Sequence, residues 1–436
     1  MNLYYGIKDR PPFGKTLVFA LQQLLAIMAA TIAVPSIIGN GMSQTAALFG
    51  AGVGTLVYLL FTRFKSPVFL GSSFAFLGSM ATAFAGAVSM EAGYAGLIIG
   101  ALFAGLVYVV IAIVVKLCGV KWINKLMPPV VIGPTVAIIG LSLAGNAIGD
   151  LTGSPALCST YVCIICGLVT LAVTMLCSVY GKNMLKMIPF IIGILAGYVV
   201  ASVFTLIGKS TGNDALLVVD FSIFSNMTWV PDFTFLTAAK GLSDISGSYL
   251  ATVAVAYVPV AFVVFAEHIA DHKNLSTIIG VELLEDPGLH RTLLGDGIGS
   301  FAGALFGGCP NTTYGESIGC VAISGNASVI TIFTTAILAI VISFFGPFAA
   351  FLSSIPGCVM GGVCVALYGF IAVSGLKMIQ TVDLNDNKNL FVTSVILIAG
   401  VGGMSVSFGS VTLTEVACAL ILGILTNFLL GNAKEA

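Results

Sequence analysis

Residues 307–319 read GGCPNTTYGESIG: a proline, an asparagine, two threonines, a tyrosine and a glutamate set between apolar runs. The surroundings make this stretch decisive. Hydrophobic residues fill 58% of the 436 positions, charged residues only 8%, and the mean hydropathy is +1.09. A soluble chain of this length needs far more charge to cover its surface, so the sequence reads as an all-α polytopic membrane protein. In hydrocarbon, non-helical backbone is tolerated only where protein or a water-filled cavity satisfies its N–H and C=O groups. The stretch therefore predicts a short extended piece, followed by a half-helix beginning near Thr312, enclosed by the rest of the protein.

Apolar runs long enough to span, roughly 20 residues each, recur from residue 17 to residue 431 and give about fourteen segments. Those that matter below are the third (68–88), eighth (249–270), ninth (292–307), tenth (311–324), thirteenth (389–407) and last (412–431). With a cytoplasmic N-terminus, the outside loops hold only Lys209 and Lys240 of all the lysines and arginines. That bias predicts an even number of spans with both termini inside. The polar start MNLYYGIKDRPPFGK runs straight into a span, so no cleavable signal peptide is expected. The ten cysteines are scattered through apolar segments; even the C-x-x-C of Cys163 and Cys166 reads as small hydrophobes rather than a zinc or redox pair.

The polar connection 208–248 divides the chain into two groups of about seven spans. Seven is odd, so the second group enters with the opposite orientation, the layout of an inverted repeat. VFLGSSFAF (68–76) and CPNTTYGES (309–317) occupy matching places in the two halves, and Pro128 with Gly133 matches Pro356 with Gly361. Interrupted segments at matching positions are the best sequence pointer to a transporter's binding site. The reading places half-helix N-termini at Ser72 and Ser73 and at Thr312 and Thr313, with free N–H groups aimed at electron-rich atoms. The plainer alternative is a glycine-rich packing kink.

Two acidic residues lie in these apolar segments. Glu316 follows the broken stretch, and Glu267 closes LATVAVAYVPVAFVVFAEH. A charge at mid-bilayer costs about 2.5–3.5 kcal/mol, and such residues are usually functional. At 1.5 Å per residue from Leu250, Glu267 lies about 25 Å along its helix, in the cytoplasmic half unless Pro259 bends it. A carboxylate only accepts hydrogen bonds when ionised and gains a donor when protonated, so the pair suits a neutral substrate rich in N–H groups and coupling to protons. An anion is repelled by it. Asp271, one turn after Glu267, is a candidate relay. His268 and His272 stand in E-H-I-A-D-H, not H-E-x-x-H, and read as a pair at the cytoplasmic helix end rather than a metal site.

Together RPP (10–12), ATIAVP (30–35), LGSSFAF (70–76), AEH (266–268), EDPGLHR (285–291) and PNTTYGE (310–316) resemble the nucleobase–cation symporter-2 family, also called nucleobase–ascorbate transporters, over residues 8–430. The resemblance is strongest to its bacterial uracil-transporting members. It implies a core domain from 1–126 and 246–350 (spans 1–4 and 8–11) and a gate domain from 127–245 and 351–436 (spans 5–7 and 12–14). It also implies a homodimer that works by elevator-like movement in a bacterial-type cytoplasmic membrane. The implied cargo is uracil or a related nucleobase with a co-transported proton, sodium being the alternative ion; no cofactor, metal or nucleic acid is implied. By the same resemblance Glu267 and Glu316 hydrogen-bond the ring and Phe74 packs on it. Backbone at Ala30 and Gly315 contacts the ring, Tyr314 and Tyr368 stand near it, and Glu267, Asp271 and His268 are the proton-coupling candidates.

Three departures from the family pattern stand out. The first span carries Gln22-Gln23 where Gln-His is common, the signature reads Glu316-Ser317 where Asn is common after the acid, and position 271 is aspartate. The first two are expected to loosen the hydrogen bonds that support the site. Asp271 keeps xanthine or urate as the alternative cargo, whereas Glu316 favours uracil. A channel needs rings of pore-lining polar residues rather than one concentrated site. An intramembrane hydrolase needs catalytic pairs that three clustered histidines do not supply.

Overall fold

The computed structural model describes residues 3–119, 122, 127–153, 158–182, 184–225, 227–408 and 411–431. The first half comprises α1 (Phe13–Ile38), α2 (Gln44–Phe61), β1 (Leu70–Ser72), α3 (Leu77–Ala85), α4 (Met90–Cys118), α5 (Pro129–Ser142), α6 (Ala144–Thr152), α7 (Thr160–Tyr180) and α8 (Pro189–Thr211). The second comprises α9 (Gly247–Ile279), α10 (Leu289–Gly307), β2 (Asn311–Thr313), α11 (Gly315–Ser324), α12 (Val329–Ile342), α13 (Gly346–Ser354), α14 (Gly357–Ile379), α15 (Asn387–Val401), β3 (Val406–Phe408), β4 (Val411–Leu413) and α16 (Glu415–Leu430).

Local chemistry sets the helix ends. Pro11 and Pro12 precede α1, where a missing N–H costs nothing. Ser43, Ser89, Ser246 and Thr414 accept a bond from a first-turn N–H at the starts of α2, α4, α9 and α16. Among the described residues eight helical segments are long and apolar enough to cross a membrane; a ninth is the α12–α13 pair, bent by 84°. The expected thirteenth and last spans are shorter than a bilayer requires as helices, at 15 and 16 residues. Between them, β3 pairs antiparallel with β4 instead.

Two packing groups are evident. In one, α10 lies against α2 and α4, α9 against α4, and α12 against α1 and α2. In the other, α14 lies against α5, α6 and α7, α7 against α8, and α15 against α16 and α5. Gly50 and Gly303 let α2 and α10 approach closely: a Cβ on Gly50 would overlap the Gly303 carbonyl.

Within the first group, against α1, α2, α9 and α10, β1 and β2 pair antiparallel with Leu70 opposite Thr313, Gly71 opposite Thr312 and Ser72 opposite Asn311, all six buried. Ser73 N–H donates to Pro310 O (2.8 Å) and Tyr314 N–H to Phe69 O (3.3 Å), extending the ladder. This corrects the expected helix starts at Ser72, Thr312 and Thr313. Ser72, Thr312 and Thr313 are strand residues, Ser73 precedes a 3₁₀ turn at Phe74–Phe76, and the α-helical turns begin at Leu77 and Gly315. The reason is satisfaction of the backbone: each interrupted segment supplies the partner for the other's N–H and C=O groups. The β-branched threonines favour that extended conformation.

Candidate functional site

The strand pair delivers the two broken segments to one cavity of about 410 Å³. Its wall holds Phe74 from the turn after β1, Glu267 and Asp271 one turn apart on α9, and Thr312, Thr313, Tyr314, Gly315 and Glu316 from β2 and the start of α11. The opposite wall comes from the second group, through Ile139, Phe190, Leu367 and Phe370. Gly315 is exposed to this space, and nothing lies within 4 Å of where its Cβ would be, so its backbone faces the cavity directly.

Secondary contacts hold these groups in place. Thr313 Oγ1 donates to Asp271 Oδ2 (2.7 Å), and Tyr314 Oη donates to Ser72 O (2.7 Å), fastening one strand to the other. Thr55 Oγ1 accepts from Leu70 N–H (2.9 Å) and ties β1 to α2. Gln23 Nε2 donates to both Ser317 Oγ and Ser317 O, and Ser317 Oγ accepts from Phe69 N–H (3.1 Å). Here an expectation is corrected. Gln23 and Ser317, read separately as departures that weaken the support, are one contact that joins α1, α11 and the residue before β1.

Among the described residues the ion pairs are Lys65–Asp286 and His268–Asp296. Glu267, Asp271 and Glu316 therefore face the cavity without a cation on them; Lys186 lines the same cavity but pairs with none of the three. An acceptor-rich wall, a glycine backbone and an aromatic face make a site for a small, flat, polar molecule that carries N–H donors.

The other expected residues stand off the cavity wall. Ala30 is buried one turn along α1 from Ala26, which does line the cavity. Tyr368 is buried and packs edge-on against Phe74, ring centroids 5.8 Å apart. Beyond Phe74, Ala75 and Ile139, which line both spaces, lies a second cavity of about 680 Å³ bordered by Asn40, Asn146, Ser405 and Glu415.

The histidines require a further correction. Neither His268 nor His272 is at an open helix end: both are fully buried, rings stacked with centroids 4.1 Å apart. His268 Nδ1 meets Asp296 Oδ2 (2.7 Å) and its Nε2 meets Thr292 Oγ1 (2.9 Å); His272 Nε2 meets Tyr58 Oη (2.7 Å), which donates to Ser66 Oγ (2.7 Å). A buried polar side chain must find partners, and α10 and α2 supply them. Asp296 was missed by the sequence reading, although the rule that singled out Glu267 applies equally to a lone aspartate in LLGDGIGS. Among the described residues no group of three or more His, Cys, Asp or Glu is arranged to hold a metal ion.

Comparison with known proteins bears on the class. A family model described as a permease family, of the xanthine/uracil type, matches residues 14–408. The uracil permease of Bacillus subtilis (strain 168) is 39% identical over 441 residues, covering 99% of this chain and 96% of its own. The uracil permease of Escherichia coli (strain K12) is 37% identical, covering 96% of this chain and 92% of its own. In fold, the transmembrane domain of a cyanobacterial bicarbonate transporter aligns with a TM-score of 0.66 at 15% identity, covering 96% of this chain and 98% of that one. The mouse Slc26a9 anion transporter in the inward-facing state gives 0.67 at 12%, covering 97% of this chain and 69% of that one.

Apolar spanning helices and permease relatives define an integral membrane transport protein, not an enzyme. The chain belongs to the nucleobase–cation symporter-2 family of permeases.

Proposed function

We propose that this protein carries uracil across the cytoplasmic membrane together with a proton. The observation that carries the reading is the meeting of Glu267, Glu316 and the Phe74 ring in one cavity, with no cation from the described residues paired to either carboxyl group. Uracil offers two ring N–H donors, two carbonyl acceptors and a flat face. Glu267 and Glu316 take the donors, the Gly315 backbone takes a carbonyl, and Phe74 takes the face. The relatives named as uracil permeases support this cargo over xanthine or urate.

In this reading the chain has fourteen segments in a 7+7 inverted repeat, both termini cytoplasmic. The first packing group is the core, built from 1–126 and 246–350; the second is the gate, from 127–245 and 351–436, and the protein works as a homodimer. The substrate cavity opens past Lys186 toward the lysine-rich side, while Phe74, Ile139 and Tyr368 close it from the second cavity. Sliding of the core against the gate exchanges the two openings, an elevator form of alternating access. Asp271, held by Thr313 on the edge of the site, passes the proton.

Proteoliposomes provide the test. Radiolabelled uracil accumulates against its gradient when a pH gradient is imposed, and no sodium gradient is needed; absence of proton-driven accumulation would overturn the proposal. Asp271→Asn is expected to keep uracil binding and lose accumulation.

A further inference from the structure

A third, much smaller cavity lies inside the first packing group, away from the substrate site. It measures about 10 Å³ and is lined by Tyr108 of α4, Asp296 and Ser300 of α10, and Asn311 of β2, with Phe76 and Val264 closing it. Two polar atoms of these lining residues, Tyr108 Oη and Asp296 Oδ1, have no hydrogen-bond partner among the described residues, and the residues are only 4% and 1% exposed. A buried carboxylate oxygen and a buried phenol are rarely left without partners. A space of this size accommodates one water, and a water needs two to four polar partners.

We propose that this cavity binds one ordered water, which accepts from the Tyr108 hydroxyl and donates to Asp296 Oδ1. The water completes Asp296, whose other oxygen holds His268 Nδ1, while Thr292, one turn away on α10, holds Nε2. With both ring nitrogens engaged by one helix, His268 fixes the rotation of α9 about its axis. Glu267 is the adjacent residue, roughly 100° around the helix, so its direction into the substrate cavity is set by the same contacts. Tyr108, Asp296 and His268 are thus positioning residues for Glu267. This positioning role rests on the uracil reading above; the water does not.

Two measurements decide it. In a density map of the wild-type protein that resolves waters, recorded in sodium-containing and in choline buffer, a peak between Tyr108 Oη and Asp296 Oδ1 is expected in both. An empty cavity, or a peak seen only with sodium, overturns the proposal. Second, Tyr108→Phe is compared with Tyr257→Phe, the removal of another buried phenol oxygen without a protein partner. If Tyr108 holds a water, its variant raises the KM for uracil at least threefold with Vmax retained, while Tyr257→Phe leaves KM unchanged. Equal KM values in the two variants overturn the positioning role. Should Tyr108→Phe fail to fold, the wild-type map still decides whether the water is there. Should the wild type not bind uracil, the uracil reading falls and the map again judges the water alone.

Discussion

The contact most worth perturbing is the one between Gln23 and Ser317, because it joins three elements around the site through a single oxygen. Ser317 and Gln23 are 0% and 3% exposed. Ser317→Ala removes the Oγ that accepts both the Gln23 amide and Phe69 N–H. Gln23 keeps Ser317 O at 3.2 Å, but Phe69 N–H has no remaining acceptor. A buried donor left unpaired costs about 1–3 kcal/mol. Gln23→Ala leaves Oγ with its Phe69 bond and costs a similar amount through its own lost bonds. The two side chains share one bond, so the double variant costs less than the sum, by about 0.5–1.5 kcal/mol. Equilibrium unfolding in a mixed-detergent titration of wild type, both single variants and the double variant closes the cycle. Additivity to within about 0.5 kcal/mol, or a Ser317→Ala cost below that figure, would refute the reasoning.

Two further substitutions separate tight packing from surface chemistry. A Cβ on Gly71 would overlap the buried Tyr314 ring, whose hydroxyl is fastened to Ser72 O; Gly71→Ala is therefore expected to cost about 1–3 kcal/mol and to weaken uracil binding, read by melting temperature and by calorimetry. Lys65 and Asp286 form a 2.6 Å ion pair with side chains 39% and 65% exposed, so Lys65→Met is expected to change stability by no more than about 1 kcal/mol, with a melting temperature close to that of the wild type.

Much of this architecture is legible in the residues because hydrocarbon permits so few solutions. A run of polar residues amid apolar ones, repeated at 68–76 and 309–317, marks interrupted segments, and acids in apolar helices mark a site. What escaped the reading depends on pairing over long sequence distances. Residue types near 70 and 312 do not reveal that the two segments satisfy one another as strands, so the sequence alone puts helix starts on residues that lie in the ladder. The mutual support of Gln23 and Ser317 was hidden because each was weighed alone against a family pattern. The histidines looked like a helix-end pair because their partners, Asp296, Thr292 and Tyr58, sit on other helices. Asp296 was within reach of the charge rule, but it lies in a helix whose glycines and charges dilute its apolar signal.

The most direct test of the central claim is the thermal shift of detergent-purified protein across uracil, thymine, xanthine, hypoxanthine, urate, cytosine and sulfate, repeated with Glu267→Gln and Glu316→Gln. A ligand that binds only the folded state at about 100 times its Kd stabilises it by about 2.7 kcal/mol. Hydrogen bonds to charged groups contribute about 1.5–3 kcal/mol each, so each variant is expected to bind uracil at least tenfold more weakly. The account predicts a raised melting temperature with uracil in the wild type, no shift with xanthine, urate or sulfate, and a reduced or absent uracil shift in both variants. A shift with xanthine and none with uracil, or an undiminished uracil shift in both variants, would contradict it.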